Sequence, residues 1–219
     1  MTTASEQIPG LFSGLEALIE AAPDLPEGAT VNDPSIIPFL ADTLAEKTGV
    51  PTRYRAGWDR PKDIEWNAHF DKVMACVRGG GIIGLIGNRG TGKTRLAAEV
   101  MRDYARMFGR YTTAMGLFLR IRSTFGKKGG ESESDIVREF SKAPLLVLDE
   151  IQERGGTEWE DRLLTHILDA RYGEMRPSII IANLTRTALA QQLGDSINSR
   201  LIETGGVLEM TGPSHRIKP

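Results

Sequence analysis

The sequence predicts an α/β fold: a five-stranded parallel sheet flanked by helices, with a phosphate-binding loop after its first strand. Three observations carry this prediction. Residues 87–94, Gly-Asn-Arg-Gly-Thr-Gly-Lys-Thr, fit G-x-x-x-x-G-K-[ST] without deviation. The apolar run Ile82–Ile86 precedes them, and an amphipathic stretch follows with Leu96, Val100, Met101 and Tyr104 at helical spacing. Downstream, apolar runs alternate with helical patterns, an order that calls for parallel strands covered on both faces.

Residues 1–50 hold two short amphipathic patterns. One spans about 11–22 (Leu11, Leu15, Leu18, Ile19) and the other about 34–48 (Ile37, Leu40, Ala41, Leu44), with Pro23, Pro26 and Gly28 between them. Neither can bury a core alone. The region reads either as a partner-docking arm or as two helices packed on the main domain. Residues 51–62 are a basic-aromatic linker containing Pro51, Arg53, Tyr54, Arg55 and Trp58. Residues 63–219 are assigned to the α/β domain that carries the phosphate-binding loop. Its strands are expected at about 82–87, 110–115, 145–149, 178–183 and 206–210, and its helices at about 63–78, 93–108, 116–125, 133–142, 158–173 and 186–203. Gly126–Ser132 is the flexible-looking stretch of this domain.

Composition narrows the class. Hydrophobic residues make up 40% and charged residues 26% of the chain, as in an ordinary soluble globular protein. A single cysteine, Cys76, excludes an internal disulfide framework and a Cys-rich zinc site. Set in Val73-Met74-Ala75-Cys76-Val77, it reads as a buried structural thiol in a reduced, cytoplasmic setting. No apolar run is long enough to span a bilayer, and Met1–Gly10 lacks a signal peptide's pattern. His69, His166 and His215 have no ligand spacing, and His166 is expected to pack within its helix. Charge is unevenly distributed. Residues 1–50 carry eight acids against Lys47, a net of −7, whereas residues 95–128 carry eight Lys/Arg against Glu99 and Asp103, a net of +6. An acidic head on a basic body suggests two different partners.

The motifs name a ligand. In the loop Gly87, Asn88, Arg89, Gly90, Thr91, Gly92, Lys93, Thr94 and on to Arg95, backbone N–H groups can face phosphates. Lys93 can reach the β- and γ-phosphates, and the Thr94 hydroxyl can bind Mg²⁺. A helix N-terminus aimed at the phosphates adds to the anion site. Leu145–Glu150 is an apolar strand ending in two acids. Asp149 is placed to hold Mg²⁺, and Glu150, pointing to the other side, to polarise an attacking water. The strand Ser178–Ala182 ends at Asn183, a candidate γ-phosphate sensor. The expected cofactors are ATP and Mg²⁺, and the Asp-Glu pair favours hydrolysis over transfer to a metabolite.

Nucleotide strand, one further strand, acid strand, then Asn strand is the order of the AAA+ ATPases. The chain resembles the DnaC-type replicative helicase loaders and their relatives, the IstB-type transposition helper ATPases. The resemblance runs over about residues 49–217. It rests on Gly49-Val50-Pro51-Thr52-Arg53-Tyr54-Arg55, Gly87–Thr94, Leu146–Ile151 and Ile167-Leu168-Asp169-Ala170-Arg171-Tyr172. Arg176-Pro177, Ala182-Asn183-Leu184, Ser199-Arg200-Leu201 and Ser214-His215-Arg216 complete the set. It implies that Arg200 is an arginine finger acting on a neighbouring subunit, against a helix-surface arginine as the plain alternative. It implies that Arg216 is a sensor arginine acting in cis. With Pro219 as the last residue, no helical lid is expected after the fifth strand.

In such loaders and their initiator relatives, an element between the second and third strands touches single-stranded DNA. The corresponding stretch contains Phe118, Arg120, Arg122, Phe125, Lys127 and Lys128. The basic groups would track phosphates while an aromatic stacks on a base. The alternative is that the two Phe are core and the arginines solvated. The acids Glu131, Glu133 and Asp135 would repel DNA. The family likeness assigns helicase docking to the N-terminal arm, and helix-in-groove binding suits its short amphipathic helices. The first reading is an ATP-hydrolysing loader that delivers a replicative helicase to single-stranded DNA and self-associates into a ring or spiral. The runner-up is a transposition helper that binds duplex DNA and a transposase. A nucleotide-binding regulator without turnover is disfavoured by Glu150 and Arg200, and a small-molecule kinase by the Asp-Glu pair.

Overall fold

The computed structural model describes residues 48–54, 64–105, 109–126 and 129–212. The proposed arm up to residue 47, most of the linker, Lys127, Lys128 and Arg216 lie outside the described residues.

A 3-10 turn, Thr52–Tyr54, leads to α1 (Ile64–Arg78) and β1 (Ile82–Ile86). There follow α2 (Lys93–Ala105), β2 (Arg110–Thr113), α3 (Ala114–Arg122), α4 (Glu133–Lys142) and β3 (Leu146–Asp149). A second 3-10 turn, Ile151–Glu153, precedes α5 (Glu158–Gly173), β4 (Ser178–Ile181), α6 (Arg186–Thr204) and β5 (Val207–Glu209). The five strands form one sheet in the order β2-β3-β4-β1-β5, and every pairing is parallel. All carboxyl ends therefore share one edge, and the switch in strand order beside β1 opens a crevice there.

Strand alternation divides the core. Ile83, Leu85, Val147, Ile179 and Ile181 face α1 and α2 in one cluster. Ile82, Ile86, Leu146, Leu148 and Ile180 face α3 to α6 in the other. Both faces are covered, so the strands read as continuous apolar runs.

Two helix starts have a clear local cause. Ser132 caps α4 in a capping box with Asp135, and Thr157 caps α5 in one with Glu160. The glycines before α4 serve as turn positions; Gly126, Gly129 and Gly130 all have positive φ. The carboxyl end of α4 is held from outside. Arg171, fully buried on α5, donates to Phe140 O at 2.7 Å and Ala143 O at 2.8 Å. It also donates to Ser178 Oγ at 2.8 Å. Arg176 adds a bond to Lys142 O at 2.7 Å. Two cations thus meet the carbonyls that a helix terminus leaves unpaired. Burial pushes the Arg171 guanidinium down to about 9, and Arg176 adds to this, yet it stays cationic at neutral pH. The Asp-Ala-Arg-Tyr and Arg-Pro segments of the resemblance owe part of their character to this cage.

Four expectations are corrected. The helix after β2 begins at Ala114 rather than 116, because Thr113 caps it by accepting from Gly116 N at 3.0 Å. The helix expected over 186–203 is broken at Gly194, whose φ of 73° and ψ of 166° are not helical. His166 is exposed, since Leu164, Ile167, Leu168 and Arg171 form the buried face of α5 and residue 166 falls off it. Cys76, expected to be buried, is half-buried, and burial pushes its thiol up to about 11.

Candidate functional site

The loop 87–92 leaves the carboxyl end of β1 and runs into α2. Gly87 has a φ of 132°, and a Cβ there would lie 2.2 Å from Met210 O, so only glycine fits. Gly92 has a φ of 94°, and a Cβ would meet the Trp66 ring at 2.6 Å. Trp66 thus packs on the loop itself, and its indole N–H donates to the buried Glu99 at 3.4 Å. Lys93 is 5% exposed, and its ammonium donates to Gly87 O at 2.8 Å and Asn88 O at 2.7 Å. Arg95 pairs along α2 with Glu99 at 3.1 Å, and Arg89 reaches Glu153 at 3.3 Å.

The acid strand meets the loop at α2. Thr94 Oγ1 donates to Asp149 Oδ2 at 2.8 Å, and Glu150 N donates to Asp149 Oδ1 at 2.7 Å. Asp149 shares the α2-facing side with Val147, and Glu150 follows directly after the end of β3. Glu150 is exposed and left-handed, with φ 52° and ψ 48°. For a non-glycine residue that conformation is strained. Glu150 lines a cavity of about 500 Å³ with Arg89, Thr113, Met115, Glu153 and Asn183. Gln152 anchors the Asn183 backbone, accepting from its N–H at 3.2 Å. The loop, both acids and Asn183 therefore converge on one edge of the sheet.

The sequence reading missed Tyr111, whose hydroxyl donates to Asp149 Oδ2 at 2.7 Å. Burial, then the neighbouring Asp149 charge, pushes the phenol's pKa upward. Gln152 and Glu153 were missed as well. A tyrosine in a short strand reads as ordinary β-propensity; only the pairing of β2 with β3 reveals its role.

The expected DNA element is corrected in part. Phe118 is 1% exposed and packs 5.8 Å from the Trp159 ring, so it cannot stack on a base. Arg120 pairs with Glu131 and Glu139 and lies over Phe140. Arg122 pairs with the buried Glu160 at 2.8 Å and lies over Trp159. Of the acids expected to repel DNA, Glu131 is a partner of Arg120. Phe125 is 55% exposed at the end of the element. Arg200 sits on α6 beyond the Gly194 break. It pairs with Asp169 at 2.8 Å and covers the Tyr172 ring at 5.3 Å.

No helix among the described residues is long and apolar enough to cross a membrane. Residues 73–219 match the family model described as IstB-like ATP binding protein. The chain is 27% identical over 118 residues to the replicative helicase loader DnaC of Escherichia coli K12, covering 52% of this chain and 47% of that protein. It is 31% identical over 124 residues to the Escherichia coli K12 protein YdaV, covering 55% and 48%. The chain thus spans about half the length of these curated relatives. Its fold is similar to the crystal structure of the DnaC helicase loader, with a TM-score of 0.60 and 22% identity over 74% of this chain and 100% of that one. It is also similar to the replication initiator DnaA bound to AMPPCP and single-stranded DNA, with a TM-score of 0.58 and 20% identity over 67% and 46%. At these identities the structural likeness is one of fold, and that fold is the AAA+ type. With the loop, the acid pair and the strand order in place, the chain belongs to the IstB-like ATP-binding protein family.

Proposed function

We propose that this protein is a Mg²⁺-dependent ATPase that loads a replicative DNA helicase onto single-stranded DNA, hydrolysing ATP at the interfaces of a self-assembled ring or spiral. The observation that carries the ATPase part is the Thr94–Asp149 contact beside Glu150 and Asn183. Its donors are hard oxygens, which suit Mg²⁺. Among the described residues no group of three or more His, Cys, Asp or Glu gathers as a metal cage. Asp149 and the Thr94 hydroxyl are the protein groups that would hold the ion. When bound, the ion neutralises and aligns the β- and γ-phosphates.

The chain's own residues do the rest. Lys93 exchanges the loop carbonyls for phosphate oxygens. Thr94 and Asp149 would hold the ion. Glu150, on the cavity side, orients the attacking water and takes its proton, while Asn183 reads the γ-phosphate. Arg200, freed from Asp169, stabilises the transferred charge in a neighbouring subunit, and Arg216 assists in cis. With Phe118 in the core, contact to single-stranded DNA rests on Lys127 and Lys128 with Phe125 beside them. The acidic residues 1–50 dock the helicase.

A transposition helper that acts on duplex DNA with a transposase is the second reading, favoured by the family's IstB-like description. Size-exclusion chromatography with light scattering separates the two. The chain is mixed with the replicative helicase of its host, with and without ATP, and the run is repeated after deletion of residues 1–50. A complex that disappears on deletion is the expected outcome. No complex, together with ATP-dependent assembly on duplex DNA, selects the helper.

A further inference from the structure

The carboxylate of Asp149 is 4% exposed and held on both oxygens. Oδ1 accepts from Glu150 N, and Oδ2 accepts from both Thr94 Oγ1 and Tyr111 Oη. The first two donors come from the phosphate loop and the acid pair themselves. The third comes from β2, outside both motifs. Register explains how it arrives: Tyr111 is paired with Val147, and Thr113 with Asp149. The pleat therefore puts Tyr111 on the same face as Asp149, one diagonal step away, within reach of a long side chain.

The phenol is itself locked. Its ring is 9% exposed and packs in the cluster containing Val50, Leu145 and Val147, with Tyr54 against it. Behind it, the lead-in segment presses on the strand. A Cβ at Gly49, whose φ is 79°, would lie 2.4 Å from Tyr111 O, so this contact admits only glycine. A buried hydroxyl donating at 2.7 Å restricts the rotation of the carboxylate.

We propose that Tyr111 is a positioning residue for the divalent ion: it fixes the rotation of the Asp149 carboxylate so that Asp149 and Thr94 present their remaining lone pairs to Mg²⁺ together. The proposal rests on the ATP·Mg²⁺ reading above. Groups that orient a metal ligand without touching the metal typically govern metal affinity by roughly 10–100-fold.

The test is binding of a fluorescent ATP analogue, titrated with Mg²⁺ from an EDTA-treated start, to the full chain and to Tyr111→Phe. In the variant, the half-saturating Mg²⁺ concentration should rise roughly tenfold, while affinity for the Mg²⁺-free analogue stays that of the parent. An unchanged Mg²⁺ midpoint overturns the assignment. So does an equal loss of affinity with and without Mg²⁺, which would make Tyr111 a packing residue only. A parent protein whose nucleotide binding ignores Mg²⁺ takes down the ATP·Mg²⁺ reading as well, so the two failures are distinguishable. Should Tyr111→Phe not fold, the parent labelled with ¹³Cζ-tyrosine answers the same question. One tyrosine resonance should move when Mg²⁺ joins the nucleotide complex, and no movement overturns the proposal.

Discussion

Glu150 shows at the residue scale how a local rule is broken where the chemistry is expected. Its left-handed backbone costs about 1–2 kcal/mol relative to an ordinary conformation, and Glu150 lines the cavity it shares with Asn183. Glu150→Gly should therefore raise stability by about 1 kcal/mol, a melting shift of roughly 2–4 °C for a chain of this size, while abolishing ATP turnover. Calorimetry and a phosphate-release assay on the same preparation check both halves. Arg171 is the opposite case, a buried charge whose value is structural. Arg171→Met would leave the carbonyls of Phe140 and Ala143 and the hydroxyl of Ser178 without this donor. Each orphaned group costs about 1–3 kcal/mol. The expected loss is about 3–5 kcal/mol, read as a lower urea midpoint.

Single elements carry two further consequences. α6 breaks at Gly194, in a backbone region open essentially to glycine alone. Nothing lies within 4 Å of a Cβ built there, so the cost of a side chain is purely conformational. Gly194→Ala should lose about 1–3 kcal/mol in thermal melting. α4 is tied to its neighbours through Glu139, which pairs with Arg110 at 2.5 Å and Arg120 at 2.6 Å. Burial opposes the charge of Glu139, but these two guanidinium groups outweigh it and hold the carboxyl below its ordinary 4.5. A folded pKa below the unfolded one stabilises above about 4.5. That contribution is lost as pH falls through the folded value. Melting temperature followed from pH 6 to pH 3 should drop more steeply in the parent than in Glu139→Gln.

For the whole molecule, assembly is the variable to probe. Arg200 lies against Asp169 and Tyr172 within its own chain, and its proposed work is done on a neighbour. Arg200→Ala should lower ATPase by roughly 10³-fold or more, as for an arginine supplied in trans. Lys93→Ala should be inactive for want of bound nucleotide. Mixing the two should restore turnover that neither shows alone, because one contributes an intact nucleotide site and the other an intact arginine. Steady-state ATPase of the mixture decides it; a mixture as inactive as its components removes the trans role.

What the sequence determined by itself was everything encoded in local order. The glycines and Lys93 of the phosphate loop, the apolar strands with Asp149 at the end of one and Asn183 just past the end of another, and the helix boundaries of α4 and α5 follow from spacing, periodicity and residue chemistry over a few neighbours. The tertiary structure alone decided what depends on which strands lie side by side. Phe118 and Phe125 look alike in sequence, and burial separates them only once α3 packs against Trp159 of α5. Arg120 and Arg122 read as free basic groups until α4 and α5 bring Glu139 and Glu160 to them. Tyr111 is 38 residues from Asp149, and no periodicity links them. The parallel register of β2 on β3, set by burial across the whole sheet, makes them hydrogen-bond partners.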